Sequence, residues 1–168
     1  PGKGSIFTVL LPVSDQVLPE NSTADNFQLP LVGGNERILL VDDELPIRRF
    51  TTRILEEHGY TVTAAEDGEA ALKRFSIDPL AFDLVLSDVS MPKLTGDKLA
   101  KEILAMRPDL PILLASGYSK KVSAESVLQD GMKGLLQKPF SEEELLRAIR
   151  QALDGQPESE ALPLTHTS

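Results

Sequence analysis

Apolar runs of strand length recur along the chain about every 23 residues, at Arg37 to Asp42, Tyr60 to Ala65, Phe82 to Asp88, Pro111 to Ser116 and Gly134 to Lys138. Between them the apolar positions change to spacings of three and four, the period of a helix with one buried face. The first such stretch opens at Pro46, whose fixed φ suits a first turn. It places Ile47, Phe50 and Ile54 on one face and stops at Gly59. A short second helix is predicted from Glu69 to Phe75. The third runs from Gly96 to Arg107 with Leu99, Ile103 and Met106 inward, and Pro108 bars its continuation. The fourth, Ser119 to Gln129, is serine-rich and anchored only by Val122, Val127 and Leu128, so it is expected to be the loosest of the set. The fifth starts at Ser141 with Glu144 in capping-box spacing, buries Leu145, Ile149 and Leu153, and ends before Gly155.

Strands that alternate with helices pair in parallel through right-handed crossovers, so the sheet is covered on both faces. The unbroken apolar run Ile38-Leu39-Leu40-Val41 agrees with burial from two sides. The predicted fold is therefore α/β, a doubly wound five-stranded parallel sheet with five helices. Either a simple strand order or the flavodoxin-like order 2-1-3-4-5 satisfies this periodicity, which does not choose between them. Residues 14–35 hold Pro19, Pro30, a polar run from Asn21 to Asn26 and the pair Gly33-Gly34, the composition of a linker. Residues 155–168 read as a flexible tail.

Composition narrows the class of partner. The 168 residues carry a formal charge of −9, which disfavours nucleic acid and anionic membrane surfaces. No apolar run reaches the roughly 20 residues that span a bilayer, and no direct membrane contact is expected. The absence of cysteine rules out disulfides, thiolate metal sites and cysteine catalysis, and it fits a cytoplasmic location. The chain opens at Pro1 and is expected to be a piece of something larger.

In a parallel sheet all C-terminal strand ends lie on one rim, and here they carry Asp42-Asp43, Asp88, Ser116 and Lys138. With strands about 4.8 Å apart, the order 2-1-3-4-5 would bring Asp43 and Asp88 within a few Å and let Lys138 reach Asp88. A cluster of carboxylates with no cysteine and no well-placed histidine suits a hard cation that keeps some water, Mg2+ rather than zinc. His58 lies near a helix end and His166 in the tail. In this arrangement Asp88 would be both the nucleophile toward a phosphoryl group and a metal ligand. Asp43 would bind the ion directly, Asp42 through water, and Ser90 through its carbonyl, while Lys138 and Ser116 would hold the phosphoryl oxygens.

Taken singly these residues have ordinary explanations. Asp43 or Glu44 suits a helix cap, Asp67-Gly68 a turn, and an Asp before a Pro-containing loop is usually solvated. Their joint occurrence on one rim favours the chemical reading. A dinucleotide-binding domain on a similar sheet is disfavoured, because its first strand should lead into a glycine-rich loop. Here Asp42-Asp43-Glu44 would repel a pyrophosphate.

Val41-Asp42-Asp43-Glu44, Asp88-Val89-Ser90-Met91-Pro92 with Gly96, Ala115-Ser116-Gly117-Tyr118 and Gln137-Lys138-Pro139-Phe140 together resemble the receiver domain of two-component response regulators. The resemblance spans residues 36–154. It implies the order 2-1-3-4-5, Mg2+-dependent acceptance of phosphate from a phosphohistidine onto Asp88, slow self-dephosphorylation and a cis bond before Pro139. The donor it implies is a histidine kinase core or a histidine phosphotransfer protein, and the chain is expected as a monomer or weak dimer. One position departs from the family: an aromatic switch residue usually sits three places before the lysine, and here that place is Leu135. The output movement of the Ser116 loop and fourth helix is therefore expected to be altered, while phosphate capture should survive. A phosphate-independent interaction module and a stand-alone response-regulator fragment are the alternatives.

Residues 1–13 add a second resemblance. Gly2-Lys3-Gly4-Ser5 followed by Ile6 to Pro12 is similar to the last glycine box and closing strand of a histidine kinase ATP-binding domain. Before a linker and a receiver, this implies the junction of a hybrid sensor histidine kinase whose parent chain can be membrane-anchored. So short a remnant would not bind ATP, and the phosphohistidine must come from elsewhere.

Overall fold

In the computed structural model of the chain, residues 33–117 and 124–155 are described. Five parallel strands, β1 (Arg37–Val41), β2 (Thr61–Ala65), β3 (Leu84–Asp88), β4 (Ile112–Ser116) and β5 (Gly134–Gln137), form one sheet in the order β2-β1-β3-β4-β5. This is the flavodoxin-like alternative, with its switch point between β1 and β3. Five helices alternate with the strands: α1 (Leu45–Glu57), α2 (Gly68–Ile77), α3 (Gly96–Met106), α4 (Ala124–Gln129) and α5 (Glu142–Asp154). Val41 pairs with Ser87 across β1 and β3, which brings the next residue, Asp42, level with Asp88.

Alternation along each strand sorts the core into two layers. Leu39 and Val41 of β1 join Val85, Ile112 and Leu114 under α2 and α3, where Phe75, Leu99 and Ile103 complete the packing. Ile38 and Leu40 face the other way, with Leu84, Leu86 and Leu113, against Ile54 and Leu55 of α1 and Leu145 and Ile149 of α5. Each fully buried Leu, Ile or Phe contributes about 1.5–3 kcal/mol relative to an exposed one.

Helix faces differ in detail from the periodic pattern. In α1 the buried residues are Thr51, Ile54 and Leu55, and Phe50 is 54% exposed. The buried stripe is thus rotated toward Thr51. Met106 is 45% exposed because α3 ends there, past the last residue that the core covers. Leu128 is also exposed, and Val127 alone of the described α4 residues is buried. The predicted first part of the fourth helix, Ser119 to Ser123 with Val122, lies outside the described residues, as do residues 1–32 and the tail beyond Gly155.

The ends of α5 form as expected. The Ser141 hydroxyl accepts from the Glu144 N–H at 3.2 Å, Glu144 accepts from the Ser141 N–H at 2.7 Å, and Gly155 closes the helix in the left-handed region at φ 68°. Upstream of β1, Gly33 and Gly34 lie against the end of α1. The Gly34 N–H donates to the His58 carbonyl at 3.1 Å, and a Cβ on Gly34 would stand 1.9 Å from Glu36 Oε2 and 2.6 Å from the Tyr60 ring. Beneath it, Arg150 joins Glu36 at 2.7 Å and Asp154 at 2.8 Å.

Candidate functional site

The C-terminal rim of the sheet gathers two buried carboxylates around one ammonium. Asp42 follows β1 and Asp88 ends β3, and their residues are 3% and 6% exposed. Lys138, just past β5, donates to Asp42 Oδ2 at 2.7 Å and to Asp88 Oδ1 at 2.6 Å. Its own N–H donates to the Ser116 carbonyl at 2.8 Å, and the bond that joins it to Pro139 is cis. Burial pulls the Lys138 ammonium toward a lower pKa. The hydrogen bonds and charges of Asp42 and Asp88 outweigh that pull and hold it above the ordinary lysine value.

The remaining carboxylate oxygens are met by backbone. Asp42 Oδ1 accepts from the Glu44 N–H at 2.8 Å, and Asp88 Oδ2 accepts from the Ser90 N–H at 2.6 Å. Both side chains are thereby held in one rotamer by donors from two directions. Gly96, at the start of α3, is required here: a Cβ on it would stand 2.1 Å from the Asp88 carbonyl oxygen. The Arg48 guanidinium donates to the Asp42 carbonyl and ties the first turn of α1 to the rim.

The other residues singled out from the sequence are placed as follows. Ser116 is buried at the end of β4, its hydroxyl 3.3 Å from the Gly117 carbonyl. Asp43 and Ser90 are exposed beside the buried pair. Among the described residues no group of three or more acidic, histidine or cysteine side chains stands together as a ready ion cage. Asp42 and Asp88 are brought together through Lys138, and Asp43 is not drawn into that contact. Leu135 pairs with Leu114 in the sheet and packs, half-buried, against the α2–α3 layer.

Two groups near the rim were not recognised as partners in the sequence. Lys93, in the loop after β3, donates from its ammonium to Asp67, which precedes α2. The contact joins loops 26 positions apart. Lys93 holds a positive φ, and its meeting with Asp67 depends on the paths of two loops, so no local signal announces it.

Chemically, two carboxylates and one ammonium leave this trio one negative charge in excess, and the side-chain atoms of Asp42, Asp43 and Asp88 that could meet an ion are oxygens. That donor set fits a hard divalent cation such as Mg2+. The same rim offers a carboxylate able to attack an electrophile, with an ammonium already in contact to offset the charge of the incoming group.

Comparison with known proteins agrees with this geometry. The response regulator receiver domain family matches residues 38–150. The chain is 32% identical to the sensor kinase CckA of Brucella abortus, across 92% of this chain and 17% of CckA. It is 32% identical to the aerobic respiration control sensor protein ArcB of Escherichia coli, across 98% of this chain and 21% of ArcB. It thus spans about a fifth of the length of these sensor proteins. The receiver protein CpdR of Brucella abortus is 34% identical across 70% of this chain and 97% of its own. Among solved structures, a response regulator receiver domain protein from Clostridium thermocellum superposes with a TM-score of 0.68 at 28% identity, covering 71% of this chain and 95% of that one. The chemotaxis protein CheY4 of Vibrio cholerae superposes with a TM-score of 0.65 at 31% identity, covering 71% of this chain and 100% of its own.

Proposed function

The chain belongs to the response regulator receiver domain family, the receiver of two-component phosphorelay systems, and on that premise we propose that Asp88 is its phosphoryl acceptor. The supporting observation is the ammonium of Lys138 in contact with both Asp42 and Asp88 on the switch-point rim. Asp88 attacks the phosphorus of a phosphohistidine, the bond from phosphorus to the donor's imidazole nitrogen breaks, and the released imidazole takes up a proton. Lys138 follows the new charge, exchanging a carboxylate oxygen for a phosphoryl oxygen, and the Ser116 hydroxyl turns from the Gly117 carbonyl to donate to another. A Mg2+ ion would be held by Asp43, Asp88 and the Ser90 carbonyl, with Asp42 acting through water. Bound there, it would neutralise phosphoryl oxygens.

The donor is the histidine kinase core of the parent chain or a separate histidine phosphotransfer protein. The ArcB match extends over 98% of the chain and so runs through most of residues 1–35. This supports assigning residues 1–13 to the end of a kinase ATP-binding domain and residues 14–35 to the linker of a hybrid sensor histidine kinase, with the receiver at 36–154 on the cytoplasmic side. The test is labelling with acetyl phosphate and Mg2+, followed by intact mass. Wild type should gain one base-labile phosphoryl group and Asp88→Asn none. Undiminished labelling of Asp88→Asn would refute the assignment.

A further inference from the structure

The loop that carries Ser90 is fastened to the neighbouring helix by a device that the proposed chemistry does not by itself require. Between β3 and α3 the chain turns through Lys93, which holds φ 66°, the left-handed region that non-glycine residues seldom occupy. Glycine would suit that backbone better, and the lysine side chain makes a contact that glycine could not. Its ammonium donates to Asp67 Oδ2, while Asp67 Oδ1 caps α2 by accepting from the Ala70 N–H at 2.8 Å. Asp67 is buried, although Lys93 itself is half in solvent. The next residue, Gly68, lies flat against the same loop: a Cβ there would stand 2.4 Å from the Leu94 carbonyl. The hydrogen bond and charge of Lys93, followed by the Ala70 N–H, hold the Asp67 carboxyl below its usual pKa, so both partners are ionised at neutral pH.

We propose that Asp67 and Lys93 are positioning residues, a brace between the α2 cap and the β3–α3 loop that keeps Ser90 aligned on Asp88. The Ser90 N–H sets the rotamer of Asp88 through its 2.6 Å bond to Oδ2, and the Ser90 carbonyl sits in the same peptide turn. Loosening the loop frees the nucleophile to rotate and displaces a metal-directed oxygen. The inference rests on the phosphoacceptor reading of Asp88, and its test separates the two.

Lys93→Gly removes the brace while relieving the backbone, so it should fold as well as wild type. Asp67→Asn keeps the helix cap and loses the charge. With no metal present, amide exchange at Ser90 should quicken about tenfold in Lys93→Gly, with the amides of β1 and α5 unchanged. The acetyl phosphate labelling rate should fall about threefold to tenfold in both variants, and Lys93→Arg should restore both readouts. Unchanged Ser90 exchange in Lys93→Gly would overturn the proposal, and so would labelling at the wild-type rate. A wild type that takes no label would sink the reading of Asp88, and the exchange measurement would still judge the brace on its own.

Discussion

Lys138 Nζ lies 2.6 Å from Asp88 Oδ1, and it reaches that oxygen across β4, which lies between their strands. The contact is paired with a second at 2.7 Å to Asp42, so one ammonium serves two carboxylates that have little access to water. Removing one member of such a group leaves the others charged and uncompensated. Lys138→Met should therefore lower stability by about 3 kcal/mol in the absence of metal, the lower end of what breaking a buried pair costs. Urea unfolding in EDTA measures this, and an unchanged midpoint would contradict it.

The same lysine predicts a pH dependence. Its folded pKa is raised, so its contribution to stability is complete below the ordinary lysine value of about 10.4 and is lost as pH rises through the folded value. The difference in melting temperature between wild type and Lys138→Met should stay constant from neutral pH to about pH 10 and shrink above it. Thermal scans up to pH 12 follow the trend; a difference that shrinks toward pH 8 would place the lysine's titration elsewhere.

The excess negative charge of Asp42 and Asp88 over Lys138 should make the protein responsive to a divalent cation. Saturating Mg2+, at about 100 times its dissociation constant, should stabilise the wild type by about 2.7 kcal/mol, and EDTA should reverse the gain. Asp88→Asn should lose more than half of that response. Calorimetry with and without Mg2+ is the measurement, and equal responses from both proteins would remove Asp88 from the ion's surroundings.

Gly96→Ala places a methyl group 2.1 Å from the Asp88 carbonyl oxygen and 2.9 Å from its carbonyl carbon. Neither partner is the movable end of a side chain, so the strand end or the helix start must shift. A loss above about 3 kcal/mol is expected, together with slower labelling at Asp88. Denaturant titration at a single temperature decides it.

The fold was open to reading because its evidence is periodic. Runs such as Ile38 to Val41 mark strands buried on two faces, and Ser141 with Glu144 marks a helix start in a spacing that means little else. Strand order was different in kind: periodicity allowed two orders, and only the family resemblance favoured the one observed. The rim residues were legible because strand ends in a parallel sheet share an edge. The contact of Lys138 with Asp88 was legible with them, and its second contact, with Asp42, was not. Val41 pairs with Ser87, so Asp42 comes level with Asp88 and shares its lysine, while Asp43 stands exposed beside them. Helix faces failed at their margins, as at Phe50, where Thr51 turns inward through neighbouring packing that the chain's own spacing does not encode. Lys93 and Asp67 were illegible for the same reason, since their meeting depends on the path of two loops.

The tight seating of Gly33 and Gly34 on the end of α1 bears on how this receiver can be moved between proteins. The pair is spliced to its first strand without slack, so a chimera cut at residue 36 would strip the lid from buried Tyr60 and from the half-buried ion pair of Glu36 and Arg150. A graft that begins upstream of Gly33 carries that lid with it.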